Sequence, residues 1–153
     1  MQSASRTLSP EDRRAIADVT VRYCWAIDEG DWADLANVFS EDAVFEPGFA
    51  APIRGRSAIQ DFIAGVLGRL DGSQHMVTNH QIWSREGDVR SRCYFHAQHT
   101  RRGIEGGANY VVAGIYRDGW TPSPEGWYIC SRTIEVLWTE GNAAVVGPAP
   151  VEP

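Results

Sequence analysis

The spacing of apolar residues changes period near residue 75, and that change constrains the fold more than any other feature of the chain. Before it, apolar residues recur at helical spacing: Ile16, Val19, Tyr23 and Ile27, then Ile59, Phe62, Ile63, Val66, Leu67 and Leu70. After it, residues 76–84, 89–100, 108–117 and 127–138 alternate with period two. Turn-forming segments at 86–88, 103–107 and 118–126 separate them. Helices followed by a strand meander define an α+β fold rather than an alternating parallel one. A long, curved antiparallel sheet cannot bury its concave face on itself. The expected architecture is therefore a cone-shaped barrel, with N-terminal helices packed on a curved, mostly antiparallel sheet and an internal pocket at the open end.

The helical half divides further. Ser9-Pro10-Glu11-Asp12 predicts a helix start, because serine caps, proline suits the first turn and acids favour the positive end of the dipole. That helix is expected to end near Glu29-Gly30. Asp31 then restarts a short helix carrying Trp32, Leu35, Val38 and Phe39, a short strand covers 43–46, and a third helix covers 55–70. A chain of 153 residues fits one domain, read as 9–139. Residues 1–8 read as a flexible leader. Residues 140–153, rich in Pro, Gly and Ala, read as a flexible tail or a strap over a neighbour.

Strand alternation predicts what the pocket sees. Val89, Ser91, Cys93, Phe95, Ala97 and His99 share the less polar face of their strand and are expected to point inward. The expected substrate-binding wall comprises Trp25, Phe62, Val66, Phe95, Tyr110 and Val112. Only one of Tyr110 and Tyr116 is expected inside. Tyr94, Tyr116 and Trp138 are expected on the outer face, where such a patch favours a homo-oligomer, a dimer or trimer.

Composition removes several function classes. A net charge of −6 opposes nucleic-acid binding, and Arg101-Arg102 is the nearest thing to a basic cluster. No apolar run reaches membrane-spanning length, and the first ten residues lack a signal-peptide core. Cys24, Cys93 and Cys130 are odd in number and widely spaced, so they read as reduced thiols in a cytoplasmic protein. No zinc pattern occurs, and no cofactor or metal is expected.

The polar residues that stand out are Asp28, His75, His99 and Arg132. An aspartate in the last turn of a helix opposes the dipole and needs a compensating donor. A histidine whose second nitrogen faces substrate would serve, with the carboxylate fixing its tautomer. Spacing alone also allows plainer roles. Asp28 can cap the next turn, His75 can be an ordinary strand residue, His99 can end its strand in water, and Arg132 can pair with Glu135.

The order of helix, Asp28-Glu29-Gly30-Asp31-Trp32, helix, strand, helix and meander resembles the SnoaL-like family of the nuclear transport factor 2-like superfamily, over roughly residues 9–138. That group includes scytalone dehydratase and hexachlorocyclohexane dehydrochlorinase. The segment from Ala26 to Trp32 is similar to the one holding the catalytic aspartate of both, which implies that role for Asp28. Gln74-His75-Met76-Val77 is similar to the segment of their catalytic histidine, which implies it for His75. The strand from Cys93 to His99 resembles the dehydratase strand with a second active-site histidine, implying His99. Tyr128-Ile129-Cys130-Ser131-Arg132 resembles the dehydrochlorinase strand with an active-site arginine, implying Arg132. The chain departs from the dehydratase at Ile27 and Pro47, where tyrosines hold a water, and at Val112, where an asparagine lines the pocket. A substrate different from either enzyme's follows.

The resemblance implies a cofactor-free lyase, of dehydratase or dehydrohalogenase type, acting on a small apolar or aromatic substrate. His75 would abstract a proton, Asp28 would orient it, and Arg132 with His99 would stabilise the developing anion or the departing group. His99 is expected to protonate a departing hydroxide, which favours water over halide. The alternatives are an isomerase or cyclase with the same dyad, or a non-catalytic binding module such as the small subunit of a ring-hydroxylating dioxygenase.

Overall fold

The computed structural model describes residues 7–147. Helix α1, Pro10–Glu29, opens with the expected cap. Ser9 Oγ accepts from the Asp12 amide while the Asp12 carboxylate accepts from the Ser9 amide, both at 3.0 Å. Gly30, in the left-handed region at φ 69°, closes it. Ile16, Thr20, Tyr23, Cys24 and Ile27 form the buried stripe of α1.

A 3-10 helix, Trp32–Asn37, follows and gives way at Phe39 to strand β1, Phe39–Glu46. The second helix is thus shorter than expected and the strand longer. Val38 and Phe39 are fully buried, and the Ile129 amide donates to the Val38 carbonyl, drawing the chain into the sheet. After β2, Ile53–Arg54, helix α2 runs Arg56–Leu67. It stops short of Leu70 because Gly68 caps it, its amide donating to the Ala64 carbonyl.

Four long strands complete the chain: β3, Gly72–Arg85; β4, Asp88–Thr100; β5, Asn109–Ser123; and β6, Gly126–Gly141. The sheet order is β2-β1-β6-β5-β4-β3, antiparallel except for β1 beside β6, and it curves without closing. The turn between β3 and β4 uses Glu86 and Gly87 at φ 54° and 85°, which matches the twist of a tight hairpin. Register shifts between Thr78 and Gln81, and along the β5–β6 ladder, bend the sheet around the helices. At one of these Gly114 is required, since a Cβ there would lie 2.0 Å from the Glu135 carbonyl oxygen.

The segment 118–126 is strand rather than turn over most of its length, so the hairpin reverses only after Ser123. Trp120 holds it, its indole donating to Ser91 Oγ at 2.8 Å. Leu8, read as leader, is buried, and residues 1–6 lie outside the described residues. The first part of the expected tail is ordered: a 3-10 turn at Ala143–Val145 buries Val145, and Asn142 donates to the carbonyls of Glu105 and Gly107. Residues 148–153 lie outside the described residues. No described helix is long and apolar enough to cross a membrane.

Candidate functional site

Between the helices and the concave face of the sheet lies a cavity of about 420 Å3, walled mainly by apolar side chains. Phe62, Val66, Phe95, Tyr110 and Val112 line it. Trp25 does not: it is 63% exposed, because two residues on from Tyr23 a helix has turned past its buried stripe. Tyr116 is the second correction. It lines the cavity with Tyr110 and is 2% exposed, since a six-residue separation along one strand keeps both on the same face. Ala143, Val146 and Gly147 complete the wall from the chain beyond β6.

The polar edge of the cavity is made by α1, β3 and β4. Parity turns Ser73 and His75 of β3 toward the C-terminal turn of α1, where Asp28 lies. The carboxylate receives three donors: Ser73 Oγ at 2.8 Å and His75 Nδ1 at 2.6 Å on Oδ1, and the His75 amide at 2.7 Å on Oδ2. A carboxylate beside the negative end of a helix needs such compensation. Burial alone would raise the Asp28 carboxyl, but the bonds from the His75 ring, the His75 amide and Ser73 outweigh it and hold the group below its ordinary value. An ionised Asp28 only accepts, so the His75 proton sits on Nδ1 and the Nε2 lone pair is left for the cavity it lines.

His99 of β4 lines the same cavity, its ring centroid 5.3 Å from that of His75 at an interplanar angle of 84°. Burial, then the neighbouring His75, pushes its pKa down to about 4, against a small upward effect of its bond to the Tyr110 carbonyl. That bond, Nδ1 to oxygen at 3.2 Å, places the proton of the neutral ring on Nδ1. The expectation that His99 protonates a departing hydroxide is therefore corrected: the nitrogen that remains carries no proton to give.

Arg132 is also corrected. It does not line the cavity. Its Nε and Nη2 donate to the two carboxylate oxygens of Asp118, both at 2.8 Å, with side-chain exposures of 0% and 1%. Asp118 and Arg132 are direct partners in the β5–β6 register, so the fork is claimed before any ligand reaches it. The guanidinium lies against the rings of Tyr23 and Tyr116, at 4.3 and 4.1 Å from their centroids, and thereby supports the cavity wall from behind. Glu135 pairs instead with Arg117. Asp118 and Tyr116 are the residues that sequence reasoning missed. Even spacing from Tyr110 would have found Tyr116, whereas Asp118 sat in a segment taken for turn.

Among the described residues no group of three or more His, Cys, Asp or Glu side chains could hold a metal ion. A second hollow, about 400 Å3, lies beside the β3 bulge and is lined by His80, Gln81 and Arg92 among others. It lacks a carboxylate–imidazole pair.

An open, curved sheet wrapped on N-terminal helices around an internal cavity is the nuclear transport factor 2-like architecture. Within it, residues 9–133 match the model of the SnoaL-like domain, and the chain belongs to that family. Terrestric acid biosynthesis cluster protein E of Penicillium crustosum is 28% identical over 94% of each chain. A provisionally assigned aromatic ring hydroxylase of Novosphingobium aromaticivorans superposes with a TM-score of 0.81 at 26% identity, covering 92% of this chain and 99% of that one. A provisionally assigned scytalone dehydratase of the same organism gives 0.75 at 22% identity, over 84% and 86%. Hexachlorocyclohexane dehydrochlorinase of Novosphingobium barchaimii gives 0.75 at 18%, over 95% and 100%. The last two likenesses concern the fold.

Proposed function

We propose that the protein is a cofactor-free lyase of dehydratase or dehydrohalogenase type, acting on a small apolar or aromatic substrate. The observation that carries this reading is the 2.6 Å contact of His75 Nδ1 with Asp28 at the edge of an apolar cavity. His75 Nε2 takes a proton from a carbon next to an activating group. The C–H electron pair becomes the new double bond, and the leaving group departs from the neighbouring carbon with its own pair; a departing hydroxide takes the proton back from the His75 imidazolium and leaves as water, whereas a halide leaves as the anion and the proton passes to solvent. Asp28 stabilises the imidazolium so formed. The likeness to a dehydratase and a dehydrochlorinase, and to a biosynthesis-cluster protein, supports the class of chemistry.

The test is a panel of β-hydroxy carbonyl and halogenated cyclic compounds, followed by mass spectrometry for loss of water or hydrogen halide. His75→Ala and Asp28→Asn should each lower turnover about 10²–10⁴-fold, and the double variant should be no worse than the poorer single one. Variants that keep full activity on the turned-over compound would overturn the proposal.

A second reading, a non-catalytic ring-hydroxylase subunit, is favoured by the likeness to the Novosphingobium hydroxylase. Co-purification with an iron protein, and indifference to His75→Ala, would select it. We also place a homo-oligomer contact on the outer sheet face. There Met76, His96, Ala113 and Trp138 form one cross-strand row, with Met76, Trp138 and the nearby Tyr94 exposed.

A further inference from the structure

The hollow beside the β3 bulge, about 400 Å3, is close in size to the cavity, and the proposed reaction does not use it. It opens where β3 departs from its ladder with β4. Thr78 pairs with Tyr94 and Gln81 with Arg92, and between those pairs Asn79, His80 and Cys93 have no register partner across this ladder. Such a bulge bends the strand and re-aims its side chains. Asn79 takes up the extra residue in the left-handed region at φ 57°, a conformation that asparagine tolerates and that concentrates at functional sites.

The lining carries one arginine and no acid, in a chain with 20 acidic residues against 14 basic ones. Arg92 has no carboxylate partner among the described residues, whereas its register neighbour Arg117 is neutralised by Glu135. The Arg92 Nε donates to Gln81 Oε1 at 2.7 Å. That bond holds the side chain in place and leaves Nη1 and Nη2 as an end-on fork for a ligand. Tyr94 stands two residues along on the same exposed face of β4, and its register partner on β5 is Ile115, so aromatic and aliphatic surface lies beside the guanidinium. Burial pushes His80 below its ordinary value, so it supplies no second charge at pH 7.

We infer that this hollow is a binding site for a small aromatic carboxylate, separate from the cavity. The carboxylate takes the Arg92 fork, the ring lies against Tyr94 and Ile115, and the side-chain amides of Asn79 and Gln81 meet its polar edge. A neutral ring would forgo the ion pair, and a phosphate monoester would bring a second charge that no lining residue balances. Arg92 lies on the far side of Tyr94 from the row placed at the homo-oligomer contact. The inference is independent of the proposed elimination.

The experiment titrates the 15N-labelled full chain with 2-naphthoate and with its neutral counterpart 2-naphthamide. Naphthoate should shift the Arg92 Nε–H and the side-chain NH2 groups of Asn79 and Gln81 along one saturable curve. Naphthamide should bind there about 10-fold more weakly, the size of one charge-assisted hydrogen bond. Arg92→Gln should weaken naphthoate by a similar factor and leave Tm unchanged. Arg92→Lys, which keeps the charge and loses the fork, should recover only part of the affinity. Shifts at Phe95 and Val112 that survive Arg92→Gln report the cavity instead, and if they are the only shifts the inference falls. Equal binding of acid and amide, or no saturable shift at millimolar naphthoate, overturns it as well.

Discussion

Replacing Asp118 by Asn removes one charge from a pair that the fold keeps away from water. Arg132 is 0% exposed and donates to both carboxylate oxygens of Asp118 at 2.8 Å, and its Nη1 has no hydrogen-bond partner among the described residues. The variant leaves a buried cation without its counter-ion, which costs about 3–5 kcal/mol. The two charge-assisted bonds, at about 1.5–3 kcal/mol each, lead to the same range. In a domain of this size 1 kcal/mol moves the midpoint by about 2–4 °C, so Tm should fall by roughly 6–20 °C. That is a large part of a total stability of about 5–15 kcal/mol. Arg132→Met should cost at least as much, because it also removes the stacking on Tyr23 and Tyr116. The double variant Asp118→Leu with Arg132→Met should recover part of the loss, since no uncompensated charge remains. Urea unfolding followed by tryptophan fluorescence gives the full cycle. A fall of less than about 2 °C for Asp118→Asn, under 1 kcal/mol at this size, would refute the reasoning, because Arg132 would then have access to water.

His99 is held near pKa 4 in the folded chain against an ordinary value of about 6.5, so the unfolded chain binds a proton that the folded one does not. Stability should therefore be full above about pH 6.5 and decline as pH falls toward 4; His99→Phe should flatten this slope in Tm against pH, and an unchanged slope would count against it. Burial pushes the thiols of Cys24 and Cys93 up to about 11 and 12, while Cys130 is less buried, so a thiol reagent should label Cys130 first in the native protein and all three after unfolding. Mass mapping that finds Cys24 or Cys93 labelled as fast as Cys130 would contradict this. Sedimentation at micromolar concentration should show an oligomer that Trp138→Glu dissociates; a monomeric wild type would remove the proposed interface.

The sequence by itself determined what depends on local periodicity. The start and end of α1, the existence of four long strands and the inward stripe from Val89 to His99 all follow from spacing of 3.6 or 2 and from caps. Most of the cavity wall follows as well, because Phe62, Val66, Phe95, Tyr110 and Val112 sit on those stripes. Asp28 and His75 could be named as candidates for the same reason, a charged group at a helix end and an imidazole at a strand start. That they meet is a different matter, since 47 positions separate them and only the packing of β3 on α1 brings the ring to the carboxylate. Tertiary structure alone decided the place of Arg132. Its partner is set by the β5–β6 register, and that register runs through two irregularities that no residue pattern announces. A slip of one residue would have turned Arg132 to the other face, so its burial beside Asp118 rather than in the cavity is a property of the assembled sheet. The role of His99 has the same origin. A histidine at an inward position can give or take a proton, and the carbonyl of Tyr110, brought opposite it by strand pairing, decides which.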